Sequence, residues 1–335
     1  MVMTDSKNIE QQRSTEANSD KGDINNDPLV SIIVPVYNAS ATLDRCLTAL
    51  LSQEYPSEKV EIIVVDNNST DNTADIIRSY PVLYLKEAEI QSSYAARNKG
   101  VKHSISRLLA FTDSDCVPHP QWLKEGINGF KDAKIGAVAG EITSAKPTSL
   151  VESYLQYSEF LSPKICMNHP FLSFIQTANA FYRREVFDEI GYFDETMISG
   201  GDADFAWRMQ IKTSFKITYR PSAIVIHKHR SNLKDFFKQR FTHGIGKANF
   251  EHKYSRHIRE KQIVVDSQKS IFYFLLRLVA LSIFGILRGF FFLITFRCQL
   301  ATYELIAWYG RVGNIIGFMK QRKQIKAKIK SKRVM

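Results

Sequence analysis

The sequence predicts an α/β fold, a mixed and mainly parallel sheet flanked by helices, followed by a C-terminal helical segment that is first apolar and then basic. Three observations predict it. Short β-branched apolar runs alternate with helical patterns from Leu29 to Asp115 at spacings of roughly 20 to 30 residues, the rhythm of a right-handed parallel α/β sheet. Successive runs end in polar or acidic residues: Asn38, Asp66 and the pair Asp113/Asp115. Charge is also segregated: from Lys228 onward the 335-residue chain has 23 Lys and Arg against 5 acids, and before it 22 against 29. A basic end of this kind suits an anionic lipid surface or nucleic acid better than a packed catalytic core.

Residues 1–28 are polar and nearly free of large apolar side chains, and a disordered tail is expected there. No basic stretch followed by an apolar one marks a secretory signal. Four scattered cysteines without C-x-x-C spacing read as free thiols of a reducing compartment. Order begins with LVSIIVP, a buried strand, followed by a helix over residues 41–53 with Leu43, Cys46, Leu47 and Leu50 on one face and Ser40 as its N-cap. A second strand, Val60 to Val65, leads to Asp66. Ser69, Thr70 or Asp71 then caps the next helix. Val82 to Leu85 is a third strand, YAARNKG lies on a helix, and a fourth strand delivers FTDSD.

In extended backbone, side chains at i and i+2 share a side, so Asp113 and Asp115 can converge on one ligand. Mg2+ with substrate phosphate fits two such acids; a turn whose Asp and Ser residues cap the next helix is the alternative. Ligands of open parallel sheets bind beyond the carboxyl ends of the strands, where all these acids fall. Neither G-x-G-x-x-G nor G-x-x-x-x-G-K-[ST] follows the first strand, so phosphate charge must be met another way.

The strings VSIIVPVYN, EIIVVDNNSTDNT, AARNKG and FTDSDC, in that order, resemble the nucleotide-sugar-binding half of the family 2 glycosyltransferases, which have the GT-A fold. The likeness covers residues 29–254, the expected catalytic domain, and leaves residues 255–335 as a separate helical segment. It implies that Pro35, Tyr37, Asn38 and Asp66 hold the nucleoside, with Arg97 and Asn98 near ribose and diphosphate. It further implies Asp113 near ribose or sugar and Asp115 on a Mg2+ or Mn2+ ion. QTANAFYRREVFDEIGYFDE looks like the acceptor-side strand and turn, placing Asn179 and Asp194 at the sugar pocket. SGGDADFAWR matches the motif carrying the catalytic base, which implies Asp202 as base; the family usually has Glu-Asp where this chain has Gly201-Asp202. Asp204 and Arg208 read as a helix-surface ion pair. His227, ending AIVIH, is implied at the metal or diphosphate, a surface histidine being the alternative.

Chemically, one carboxylate must take the acceptor proton while positive charge on the opposite face meets the departing diphosphate, and a single displacement inverts the anomeric centre. At a helix N-terminus Asp202 is expected to stay ionised. In KQRFTHGIGKA, Gln239 and Arg240 resemble part of the Q-x-x-R-W motif of processive synthases, but spacing and Trp differ. A processive polymerase is therefore not expected, though Arg240 can approach phosphate.

Ile271 to Phe296 is almost wholly apolar, broken by Arg277 and Arg288 on one helical face, which suits an interfacial helix or shallow hairpin. Lys320 to Arg333 carries eight basic residues, the pattern that binds an anionic cytoplasmic leaflet. No nucleic-acid recognition module accompanies it. The leading expectation is an inverting glycosyltransferase at the cytoplasmic face of the cell membrane, moving sugar from a nucleoside diphosphate sugar to a lipid-linked or cell-envelope glycan. A nucleotidyltransferase and a catalytically silent membrane-bound module are the other readings.

Overall fold

The alternating runs of the first third become a sheet whose rim collects the polar residues at their ends. The computed structural model describes residues 27–255, 257, 280, 283–285, 287–288 and 298–334. In chain order the elements are β1 (Val30–Val36), α1 (Leu43–Leu51), β2 (Val60–Asp66), α2 (Thr73–Arg78), β3 (Leu83–Lys86), α3 (Ser93–His103), β4 (Leu108–Thr112) and β5 (Cys116–Pro118). There follow α4 (Trp122–Ile127), β6 (Ile135–Ser144), α5 (Leu150–Tyr157), α6 (Pro163–Met167), β7 (Asn179–Arg183) and α7 (Arg184–Ile190). The last are α8 (Gly201–Lys212), β8 (Lys216–His227), α9 (Leu233–Lys253) and α10 (Cys298–Val334).

Two compact units result. The first runs through Thr143 and adds Leu161–Thr196 and Gly201–Lys228; the second joins Ser144–Phe160, Met197–Gly200 and the chain from His229. The first holds the sheet, ordered β3-β2-β1-β4-β7-β6-β8-β5. Strands β1 to β4 pair in parallel, but β7 runs antiparallel to both β4 and β6, and β5 is antiparallel to β8. The sheet is thus mixed as expected, with β1 to β4 paired in parallel and antiparallel pairings at β4–β7, β7–β6 and β5–β8.

Alternation along β1 explains how the sheet is covered. Val30, Ile32, Val34 and Val36 share a core with Leu43, Cys46, Leu47 and Leu50 of α1, and each of these large aliphatic side chains contributes roughly 2 kcal/mol on burial. Helix α1 starts later than Ser40 predicts: its N-cap is Thr42, without a side-chain cap bond. Ser40 instead donates its backbone N–H to Asp71, which also accepts from Thr73, so Asp71 braces two loops rather than capping α2. Ser92 and Ser149 do cap α3 and α5.

Asp204 is not on the surface. Its side chain is wholly buried and meets Arg208 Nε at 2.9 Å, while the same guanidinium donates to the carbonyls of Ile190 and Tyr192 at 2.9 and 2.6 Å. The pair pins α8 to the end of α7.

In the second unit α9 packs on α10. Phe236 lies against Gly310, Phe241 against Gly317, and Asn249 bonds Gln321, so residue numbers ascend together and the two helices run parallel. Among the described residues no helix is long and apolar enough to cross a membrane. The apolar stretch 271–296 and the polar tail 1–28 lie almost wholly outside the described residues.

Removing one partner of a buried ion pair strands the other charge. Asp204→Ala is therefore expected to destabilise the fold by about 3 kcal/mol, read as a fall of roughly 6 to 12 °C in the thermal unfolding midpoint.

Candidate active site

Parallel registry puts the strand ends on one rim: Val36 aligns with Asp66, and Ile33 with Phe111. Beyond that edge the loops after β1 and β2 interlock. Asn38, at φ +48°, lets its carboxamide oxygen accept from the Thr70 N–H, and its own N–H donates to Ser69 Oγ. Asp66, 1% exposed, accepts from the Ser69 N–H at 2.9 Å and from the Tyr84 hydroxyl at 3.3 Å. Pro35 is buried in β1. Tyr37, 54% exposed, projects its ring from this corner.

Next along the rim, Arg97 rises from α3 with only 4% of its surface exposed and donates from Nη2 to Asp113 Oδ1 at 2.5 Å. Its Nε is buried without a hydrogen-bond partner. Its charge also reaches Asp202, in the first turn of α8. Burial raises the Asp202 carboxyl above the usual carboxylate range; the Arg97 charge and the Ala203 N–H pull it back, and Asp113 adds to the rise. Desolvation thus outweighs the favourable Arg97 charge and the N–H groups at the start of α8 in setting the direction of the shift.

Pairing of β5 with β8 sets Cys116 opposite His227, and this brings His227 Nε2 to 3.5 Å from Asp115 Oδ1. A carboxylate and an imidazole this close, both mostly buried, are donors that suit Mn2+. Among the described residues no three His, Cys, Asp or Glu side chains form a cage. Cys46 and Cys116 lie behind the two aspartates; burial, reinforced by Asp115 and Asp113, pushes both thiols up and keeps them protonated.

The model of the family described as Glycosyl transferase family 2 matches residues 31–191. Glycosyltransferase AglE of Haloferax volcanii is 34% identical over 224 residues, which make up 65% of this chain and 73% of the relative. The chain is a family 2 glycosyltransferase.

A second relative is 25% identical over 234 residues, covering 65% of this glycosyltransferase and 73% of its own length. It is the dolichyl N-acetyl-alpha-D-glucosaminyl phosphate 3-beta-D-2,3-diacetamido-2,3-dideoxy-beta-D-glucuronosyltransferase of Methanococcus voltae. In fold, the chain resembles mannosyltransferase PcManGT from Pyrobaculum calidifontis, solved with GDP-Man and Mn2+. The TM-score is 0.58 at 16% identity, over 92% of this chain and 94% of that one. The mixed sheet with flanking helices fits the GT-A fold, and neither nucleotidyl transfer nor a silent module accounts for these relatives.

Two residues expected near the nucleotide and the sugar are hydrogen-bonded within the fold. Asn98 is 1% exposed, donates to the Phe193 carbonyl and Glu195, and accepts from the Phe193 N–H. It ties α3 to the 193–195 turn. Asn179, also 1% exposed, accepts from Trp122 Nε1 and donates to the carbonyls of Glu141 and Ala223. It locks β7 to its neighbours. Asp194, half-buried, accepts from the N–H and hydroxyl of Thr196 and shapes its own turn.

Tyr94 was hidden in the AARNKG region. Its buried hydroxyl accepts the Gly201 N–H at 2.8 Å, and a Cβ at Gly201 would come within 2.8 to 2.9 Å of its ring. The glycine that replaces the family's glutamate therefore makes room for a phenol that holds the start of α8. Gly201→Ala should push α8 and Asp202 out of place and lower turnover by about a hundred-fold, the scale of a misplaced catalytic group. Steady-state kinetics should show the loss in kcat, with nucleotide affinity retained.

Proposed function

We propose that this glycosyltransferase is metal-assisted and inverting. It moves sugar from a nucleoside diphosphate sugar to a hydroxyl of a lipid-linked or cell-envelope glycan at the cytoplasmic face of a membrane. The observation that carries the reading is the arrangement of Asp202, Arg97 and Asp113 beside the Asp115–His227 pair on one sheet rim. The nucleoside would lie at Tyr37, Asn38 and Asp66, and Arg97 would turn toward the diphosphate with its unpartnered Nε. Asp115 and His227 would hold the cation, which when bound supplies positive charge against the departing diphosphate. PcManGT's GDP-Man and Mn2+ support such a donor and cation, and the dolichyl phosphate in the Methanococcus relative's name supports a lipid-linked acceptor.

Asp202 takes the acceptor proton. A carboxyl raised above its ordinary range is a better base than a free aspartate, because its basicity lies closer to that of a bound hydroxyl as it loses its proton. Attack from its side expels the diphosphate on the far face and inverts the anomeric carbon.

Asp202→Asn should lower transfer by about a thousand-fold while equilibrium dialysis still finds nucleotide bound; full activity would remove Asp202 from this role. The protonated base is inactive, so activity rises as pH climbs through the Asp202 pKa. Arg97→Gln removes the charge that lowers this pKa and also releases Asp113. The acid limb of the kcat profile should then move to higher pH, and Arg97→Lys should restore part of the shift. For the membrane, the basic end of α10 supports an anionic surface: replacing Lys326, Lys328, Lys330 and Lys332 with Gln should abolish co-sedimentation with phosphatidylglycerol vesicles. Undiminished binding would exclude this surface.

A further inference from the structure

The second unit contains two arginines, Arg240 and Arg311, set among aromatic side chains and mostly withdrawn from water. Arg240 on α9 packs its guanidinium over the Phe160 ring, 5.2 Å from the centroid, and the same ring makes a parallel stack with His243 at 5.6 Å. Burial and the Arg240 charge hold His243 neutral, its pKa pushed down to about 4. On α10, Arg311 has both Nε and Nη2 buried with no hydrogen-bond partner. The Arg240 stem packs on α10, within 3.3 Å of where a Cβ at Gly310 would stand. Tyr154 on α5 lies within electrostatic reach of both, and of Glu304.

Glu304, the acid within electrostatic reach of Tyr154, is itself engaged by Arg288 at 3.3 Å. Guanidinium donors shut away from water cost free energy unless an acceptor meets them. Two forks beside a phenol and a neutral imidazole suit an acceptor of two negative charges, with oxygens in several directions; a phosphate monoester or diphosphate has both properties, and a carboxylate has neither.

We propose that Arg240, Arg311 and Tyr154 bind the phosphoryl group of the acceptor. Assigning the phosphoryl group to the acceptor rests on the glycosyltransferase reading above, whereas the affinity for phosphate does not. The oxygens accept from the two guanidiniums and the Tyr154 hydroxyl, and no bond is made or broken. The site thus selects acceptors by their phosphate, independently of the donor residues.

The test uses the full chain in detergent, with thermal shift and equilibrium binding to decyl phosphate, decanol and inorganic pyrophosphate. Decyl phosphate should stabilise the wild type where decanol does not, and Arg240→Gln and Arg311→Gln should each weaken it by about ten-fold or more. Response to decyl phosphate alone identifies a lipid-borne phosphate, and an equal response to pyrophosphate identifies a small phosphate; both support the site. Equal binding by wild type and both Gln variants, or no response to either phosphate, overturns it. Should the Gln variants fail to fold, Arg311→Lys, which keeps the charge but loses the fork, and Tyr154→Phe must show the same weakening for the proposal to stand. Donor hydrolysis is followed in parallel: its absence from the wild type would sink the glycosyl-transfer reading while leaving the phosphate result intact.

Discussion

The buried guanidinium of Arg97 is the constraint on which the catalytic rim depends. Asp113 accepts from it directly and Asp202 feels its charge. Without it two carboxylates would share a desolvated site, and one would be driven to hold a proton. Arg97 in turn is placed by α3, whose approach to the sheet is so close that a Cβ at Gly100 would lie 2.6 Å from Ile33. Sheet packing and acid chemistry are therefore linked through one helix: the small residues that let α3 settle on β1 also carry the arginine to the strand ends.

The parallel half of the fold was legible because β1, β2 and β4 are apolar runs bounded by turn residues and buried along most of their length, as central parallel strands are, with β3 at the exposed edge. The antiparallel half was not. Nothing in NAFYR says that it pairs with both β4 and β6, or that the three residues of β5 find β8, because such pairings are long-range and carry no local period. Helix caps were missed for a related reason. Ser40 looks like a cap in isolation, yet its N–H is claimed by Asp71 from the next loop.

Among site residues, the positions at strand ends were legible, whereas the hydrogen-bonding of interior ones was not. Asn98 and Asn179 are polar residues in matching motifs, and the sequence cannot distinguish an amide offered to substrate from one consumed by backbone carbonyls. Asp204 shows the same blindness in reverse: i,i+4 spacing to Arg208 suggests an exposed pair, while burial makes it part of the core. Asp115 and His227 are separated by more than a hundred residues and meet only through β5–β8 pairing. The motif implied both, but their adjacency needed the fold.

Gly201 shows how one departure from a motif can be absorbed. An acid there would set another negative charge next to Asp202, raising its pKa by repulsion in addition to burial. With glycine the neighbour is the Tyr94 phenol, itself kept protonated by burial and by the Asp202 charge. The phenol is neutral and accepts the Gly201 N–H, so the helix start is satisfied without any added charge. What then governs Asp202 is its desolvation, opposed chiefly by Arg97. The basicity of Asp202 is thereby set by packing around α8 and by one guanidinium, and a change at either position acts on the same titration.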